Sequence, residues 1–173
     1  SAINYTYNGA WFTNEEIEIA LKSFKLDYTL VDQIEEKLGE ILADGKIVAR
    51  FNGRMEYGPR ALGNRSIIGA PFDKTINDWL NKKLQRTEFM PFAPSIIEEA
   101  ANDYLVNYNG EKAAEFMTIT YDIKEAKAKD IPAVVHVDNT ARPQIVKNSP
   151  KNWVGSQIHE KMREESRGGR GRG

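Results

Sequence analysis

Apolar residues recur every three to four positions early in the chain and every second position in short later runs, so helices interleaved with strands are expected. Thr13 and Glu16 have capping-box spacing, and Ile17, Ala20, Leu21 and Phe24 follow on one helical face. After Asp32, the apolar positions Ile34, Leu38, Ile41 and Leu42 predict a second helix, which Gly45 ends. Residues 46–51 predict a strand centred on Ile47 and Val48, and residues 65–70 predict another. Between them, Pro59 suits the first position of a one-turn helix and Gly63 its end. Asp73 is placed to cap a helix carrying Ile76, Trp79, Leu80 and Leu84. Ser95 and Glu98 form a second capping box ahead of Ile97, Ala101, Tyr104 and Leu105. Residues 116–121 alternate as a strand should, 124–130 read as a charged loop, and 133–137 and 144–146 read as strands around a polar loop. A last helix is expected over 153–165. This irregular alternation makes the expected class α/β or α+β, without an internal repeat.

Composition narrows the field. The 173 residues suit one domain. Basic and acidic residues number 24 and 25, so the net charge is −1 and no global field attracts nucleic acid or anionic lipid. Any attraction for anions must be local. Cysteine is absent, which removes disulfides, thiolate zinc sites and cysteine nucleophiles. No apolar run reaches the ~18 residues of a transmembrane helix, and the first residues lack a secretory pattern. A cytoplasmic location is expected. Residues 166–173, SRGGRGRG, are a low-complexity tail; two Arg-Gly units are too few to argue for RNA binding.

The candidate chemistry lies in GRMEYGPRALGNRS, residues 53–66. Its glycines allow backbone N–H groups close to a ligand. Its arginines, Arg54, Arg60 and Arg65, can meet phosphate or carboxylate oxygens two at a time. With only Glu56 to pair them, an anion site is expected, with Arg60 and Arg65 flanking the short helical turn. Glu56 should orient an arginine, with a metal as the alternative. Pro59-Arg60 stands where a Walker A loop has Lys-Ser/Thr, and G-x-G-x-x-G is absent, so neither common phosphate loop applies. Two further clusters follow. In NKKLQRTEFMPFAPS, residues 81–95, Lys82 and Lys83 suit a solvated helix end and Arg86 is the better ligand candidate. Phe89 and Phe92 could wall a base, though core positions suit them too. In HVDNTARPQ, residues 136–144, Asp138, Thr140 and Arg142 can contact a polar ligand, Asn139 suits a left-handed turn position, and His136 reads as structural. No nucleophile elbow is present, so the pattern favours positioning of phosphates and stabilisation of charge.

These three ordered motifs resemble the C-terminal domain of NodU/CmcH-type O-carbamoyltransferases over roughly residues 30–146. The resemblance implies a YrdC-like twisted mixed sheet flanked by helices. It implies that the domain binds ATP and carbamoyl phosphate, with Mg²⁺, and forms carbamoyl-adenylate. A separate N-terminal Kae1-like domain, the one that holds iron or another metal, would pass the carbamoyl group to a hydroxyl of a small molecule or glycan. By motif position Arg60, Arg86 and Arg142 are the catalytic candidates. Arg54, Glu56, Asn64, Arg65, Ser66, Lys83, Asp138 and Thr140 are the ligand-binding candidates, and no metal ligand is assigned. The pattern departs from the family in two places. Leu84-Gln85-Arg86-Thr87 lacks the Lys-x-Arg pair, leaving Lys83 as substitute, and nothing after Val146 resembles the family's Asn-Thr-Ser-Phe-Asn strand. Residues 1–29 then read as a linker from the transferase domain, 30–165 as a partial C-terminal domain, and a homodimer is compatible with that reading. The alternatives are threonylcarbamoyl-adenylate or HypF-like chemistry on the same fold, and an RNA-binding YrdC-like module.

Overall fold

A computed structural model describes residues 6–85 and 92–147. The class is the expected one, helices mixed with small sheets. Helix α1 (Asn14–Ser23) starts at the Thr13 box: Thr13 Oγ1 accepts the Glu16 amide at 3.1 Å, and Glu16 Oε2 accepts the Thr13 amide at 2.8 Å. Helix α2 (Ile34–Ala43) buries Leu38 and Leu42, and Gly45 follows its cap with φ of 76°. Strand β1 (Val48–Phe51) pairs antiparallel with β2 (Arg65–Ile68), Val48 opposite Ile68. Val48 and Ile68 pack on Leu38 and Leu42, forming a small core under that ladder. Helix α3 (Thr75–Lys83) buries Ile76 and Leu80, and Asp73 Oδ1 accepts the Thr75 amide at 2.9 Å.

The second half carries the larger core. Strand β3 (Ser95–Ile97) leads into α4 (Glu98–Tyr104), and β3 pairs in parallel with β6 (Gln144–Val146). The Ser95–Glu98 capping box does not form, because residues 95–97 are taken into the parallel ladder and the helix starts only after Ile97. Strand β4 (Tyr121–Asp122) pairs antiparallel with β5 (Thr140–Ala141), and a short helix α5 (Glu125–Ala128) stands where a charged loop was expected. Ile96, Ala101, Leu105, Ile123, Ala141 and Ile145 close the core between these elements. The described strands thus make three two-stranded ladders, one parallel and two antiparallel.

Two expected strands are absent for physical reasons. Residues 112–116 form a 3₁₀ turn, after which Met117 takes a left-handed conformation at φ of 55°, and the Thr118 hydroxyl donates to the Ala113 carbonyl at 2.6 Å. The alternation over 116–121 is real in burial but pairs only from Tyr121 onward. Residues 133–137 form turns: the Ala133 amide donates to Pro71 O and the His136 amide to Thr140 O, and Val137 is fully exposed. Among the described residues no helix is long and apolar enough to cross a membrane. Arg86, Phe89, the helix expected over 153–165 and the tail lie outside the described residues.

Candidate anion site

The glycine-arginine loop is tied to itself by Glu56. This side chain is 6 % exposed. Its Oε1 accepts the backbone amides of Leu62 at 2.8 Å, Asn64 at 2.6 Å and Arg65 at 3.1 Å. Burial pushes its carboxyl up, but the amides of Glu56 itself, Arg65, Leu62 and Asn64 together outweigh this and hold it below the usual carboxylate range. Glu56 therefore orients backbone and not an arginine, which corrects the sequence expectation. The same amides would be needed to wind residues 59–63, so the expected helical turn is a chain of bends.

Other ligand candidates are also turned inward. Arg65 donates from Nη1 to Asn52 O at 2.9 Å and Asn64 O at 3.0 Å, and from Nη2 to Gly53 O at 3.1 Å and Ala10 O at 3.3 Å. Its guanidinium carbon stacks 3.6 Å from the Phe51 ring centroid. Only its Nε–H is left of five donors. Ser66 Oγ accepts the Gly63 amide at 2.9 Å, and Asn64 Nδ2 donates to Arg54 O at 2.7 Å. Arg54 is exposed and reaches Gly9 O at 3.4 Å, while Lys83 is exposed at the last turn of α3. Gly63 has φ of 110°, and a Cβ there would lie 3.5 Å from Arg50 Nη1. Gly63→Ala is expected to cost about 2 kcal/mol, from backbone strain alone, read as a lower urea midpoint with unchanged slope.

Arg60 and Arg142 differ from these arginines. Both are half-buried, and neither guanidinium has a hydrogen bond or ion pair among the described residues. Arg142 Nε is fully buried without an acceptor, which is costly unless something external supplies one. One contact joins the two segments that carry these arginines. Gln144, buried at the start of β6, donates from Nε2 to Leu62 O at 3.0 Å. Each arginine lies two residues before one end of that contact. Tyr7 donates to the same carbonyl at 2.9 Å. Asp138 and Thr140 form their own turn: Asp138 Oδ1 accepts the Thr140 hydroxyl at 2.7 Å and amide at 3.1 Å, which lowers the Asp138 pKa. Asn139 does take the left-handed position, φ of 62°, and its Nδ2 donates to Ile123 O at 2.7 Å.

Sequence reasoning missed Arg50 and Gln144. Arg50 occupies an inward position of β1 and donates to the Gly63 carbonyl. An arginine at the inward register of a short strand was the available signal. Gln144 gave none, because its importance comes from Leu62, far away in the chain. Among the described residues no group of three His, Cys, Asp or Glu side chains is placed to hold a metal ion.

Fold and site together define a mixed α/β domain whose glycine loop is braced from within, carries Arg60, and is tied by Gln144 to the segment that carries Arg142. The family described as Carbamoyltransferase C-terminus matches residues 39–168, and the chain belongs to that family. It is 42 % identical over 161 residues to an uncharacterized protein of Methanocaldococcus jannaschii, covering 88 % of this chain and 31 % of that protein. It is 37 % identical over 141 residues to Nodulation protein NolO of Bradyrhizobium diazoefficiens, covering 80 % of this chain and 26 % of the relative. It is 33 % identical over 124 residues to Nodulation protein U of Azorhizobium caulinodans, covering 72 % and 22 %. The chain thus spans between a fifth and a third of the length of these relatives.

Proposed function

We propose that this domain binds ATP and carbamoyl phosphate in the cytoplasm and forms carbamoyl-adenylate for an O-carbamoyltransferase. A separate N-terminal domain would carry the group to a hydroxyl of a small molecule or glycan. The observation that carries the reading is the pair Arg60 and Arg142, both half-buried and without a partner among the described residues, on segments that the Gln144–Leu62 hydrogen bond ties together. With water, the two substrates give carbamoyl-adenylate, phosphate and pyrophosphate. Water cleaves carbamoyl phosphate to carbamate and phosphate; a carbamate oxygen then forms the new bond to the α-phosphorus of ATP and the bond to pyrophosphate breaks. Both substrates are anionic, so bringing them together requires fixed positive charge. Arg60 and Arg142 supply it at no reorganisation cost if the two segments that carry them are rigid. Glu56, Arg65, Asn64 and Ser66 are the loop's frame, and Arg86 is a third cation from the second motif. The described residues offer no carboxylate cage for Mg²⁺, and no step is assigned to it.

The test is calorimetry on the folded chain with ATP-Mg and with carbamoyl phosphate. Binding of both, with pyrophosphate release that requires carbamoyl phosphate, is the expected result. Release that instead requires bicarbonate plus threonine would move the assignment to threonylcarbamoyl-adenylate chemistry. No binding of either ligand overturns the reading.

A further inference from the structure

Helix α1 buries no residue, although it carries Ile17, Ile19, Ala20 and Leu21. More than half of the strongly exposed large apolar side chains among the described residues fall between Trp11 and Ile34. Phe24 is 76 % exposed and Leu30 88 %. Part of this surface is continuous. Phe12, Ile17, Leu21, Phe24, Leu26 and Phe51 line one groove of about 420 Å³ whose walls are almost wholly apolar. A contiguous apolar surface of this kind in a charged, hydrophilic chain marks a contact that the isolated stretch does not make.

The surroundings identify the occupant. The apolar stretch lies ahead of residue 39, where the family domain begins. Yet the match to the Methanocaldococcus jannaschii relative covers 88 % of the chain, and since only five residues follow 168, it takes in residues before 39. Residues 22–38, with Phe24, Leu26 and Leu30 among them, therefore belong to what that relative shares with this chain outside the domain itself, and the relatives are three to five times longer than the matched part. A membrane surface does not fit, because Glu15, Glu16 and Glu18 stand on the same helix and would be repelled by anionic lipid. We propose that residues 11–34, with Phe51, form the seat on which the remaining part of the longer transferase polypeptide packs. This rests on the reading of the chain as one domain of such a transferase.

Phe51 gives the seat a second significance. Its side chain lines the groove, and the Arg65 guanidinium that holds Asn52 and Gly53 stacks on its ring. The docked partner would cover the side chain that braces the anion loop.

Hydroxyl-radical footprinting read by mass spectrometry tests this without substitutions, on the long polypeptide and on the 173-residue chain. Oxidation of Phe12, Phe24 and Leu26 should fall severalfold in the long form while Trp79, exposed on α3, stays unchanged. Should the shorter chain fail to fold, the long form alone still decides. With each rate divided by the intrinsic reactivity of its side chain toward hydroxyl radical, Phe24 must then react less than Trp79, although Trp79 is the less exposed of the two here, at 55 %. Equal oxidation of Phe24 in both forms, or a Phe24 more reactive than Trp79 in the long form, overturns the proposal. So does protection in the short chain that appears only as its mass doubles, since a second copy is then the occupant. Protection without any nucleotide binding would leave the seat standing and remove the adenylate reading.

Discussion

Glu56→Ala is expected to unfold the glycine loop and to cost the domain on the order of 4 kcal/mol. Three backbone amides lose their acceptor in a buried place, and each unsatisfied donor costs about 1–3 kcal/mol before water re-enters. Glu56→Gln keeps one acceptor oxygen but loses the charge, so it should recover part of the loss. The pH dependence follows from the sign of the shift. The folded pKa of Glu56 lies below its unfolded value, so its stabilisation is fully present above the ordinary glutamate range, near ~4.3. It is lost as pH falls from there through the lowered folded value. The urea midpoints of wild type and Glu56→Gln should therefore differ at neutral pH and converge at acid pH. A neutral-pH midpoint unchanged by Glu56→Ala would mean that the loop is held elsewhere.

Arg142→Ala should weaken the binding of carbamoyl phosphate or ATP about tenfold to a hundredfold, and Arg60→Ala similarly, from the loss of one charge-assisted contact each. Neither arginine has an internal partner to strand, so stability should change little, and Arg142→Ala removes a buried orphan donor. Arg142→Lys should restore only part of the affinity, because an ammonium offers no planar fork. Arg65→Ala is the contrast: its donors serve four carbonyls, so it should lower the urea midpoint as well as affinity. If Arg60→Ala or Arg142→Ala instead collapses the fold, that arginine is a brace and the site is misplaced.

These contrasts show what a sequence can and cannot carry. The Thr13 box and the Ile34–Ala43 helix were legible because every interaction that defines them lies within a few residues. The apolar character of 133–137 was also read correctly, but burial of an irregular turn and burial of a strand leave the same trace. The site was legible as three motifs and illegible in its division of labour. Arg60 and Arg65 are the same residue type five positions apart, and only the carbonyls of Asn52, Gly53 and Ala10 decide that one is a brace. Arg86 falls outside the described residues, so its role rests on the resemblance alone.

The carbonyl of Leu62 has one more consequence, in time. Its two donors, Tyr7 and Gln144, lie 55 residues before it and 82 after it. Contacts so distant in sequence form late in folding. During synthesis the loop between β1 and β2 can be complete while the strand that anchors it has yet to be made. A nascent chain halted before Gln144 is expected to keep the amides of residues 62, 64 and 65 on Glu56 while the Leu62 carbonyl lacks its Gln144 donor. The glycine loop would then be joined to the larger core only when β6 pairs with β3.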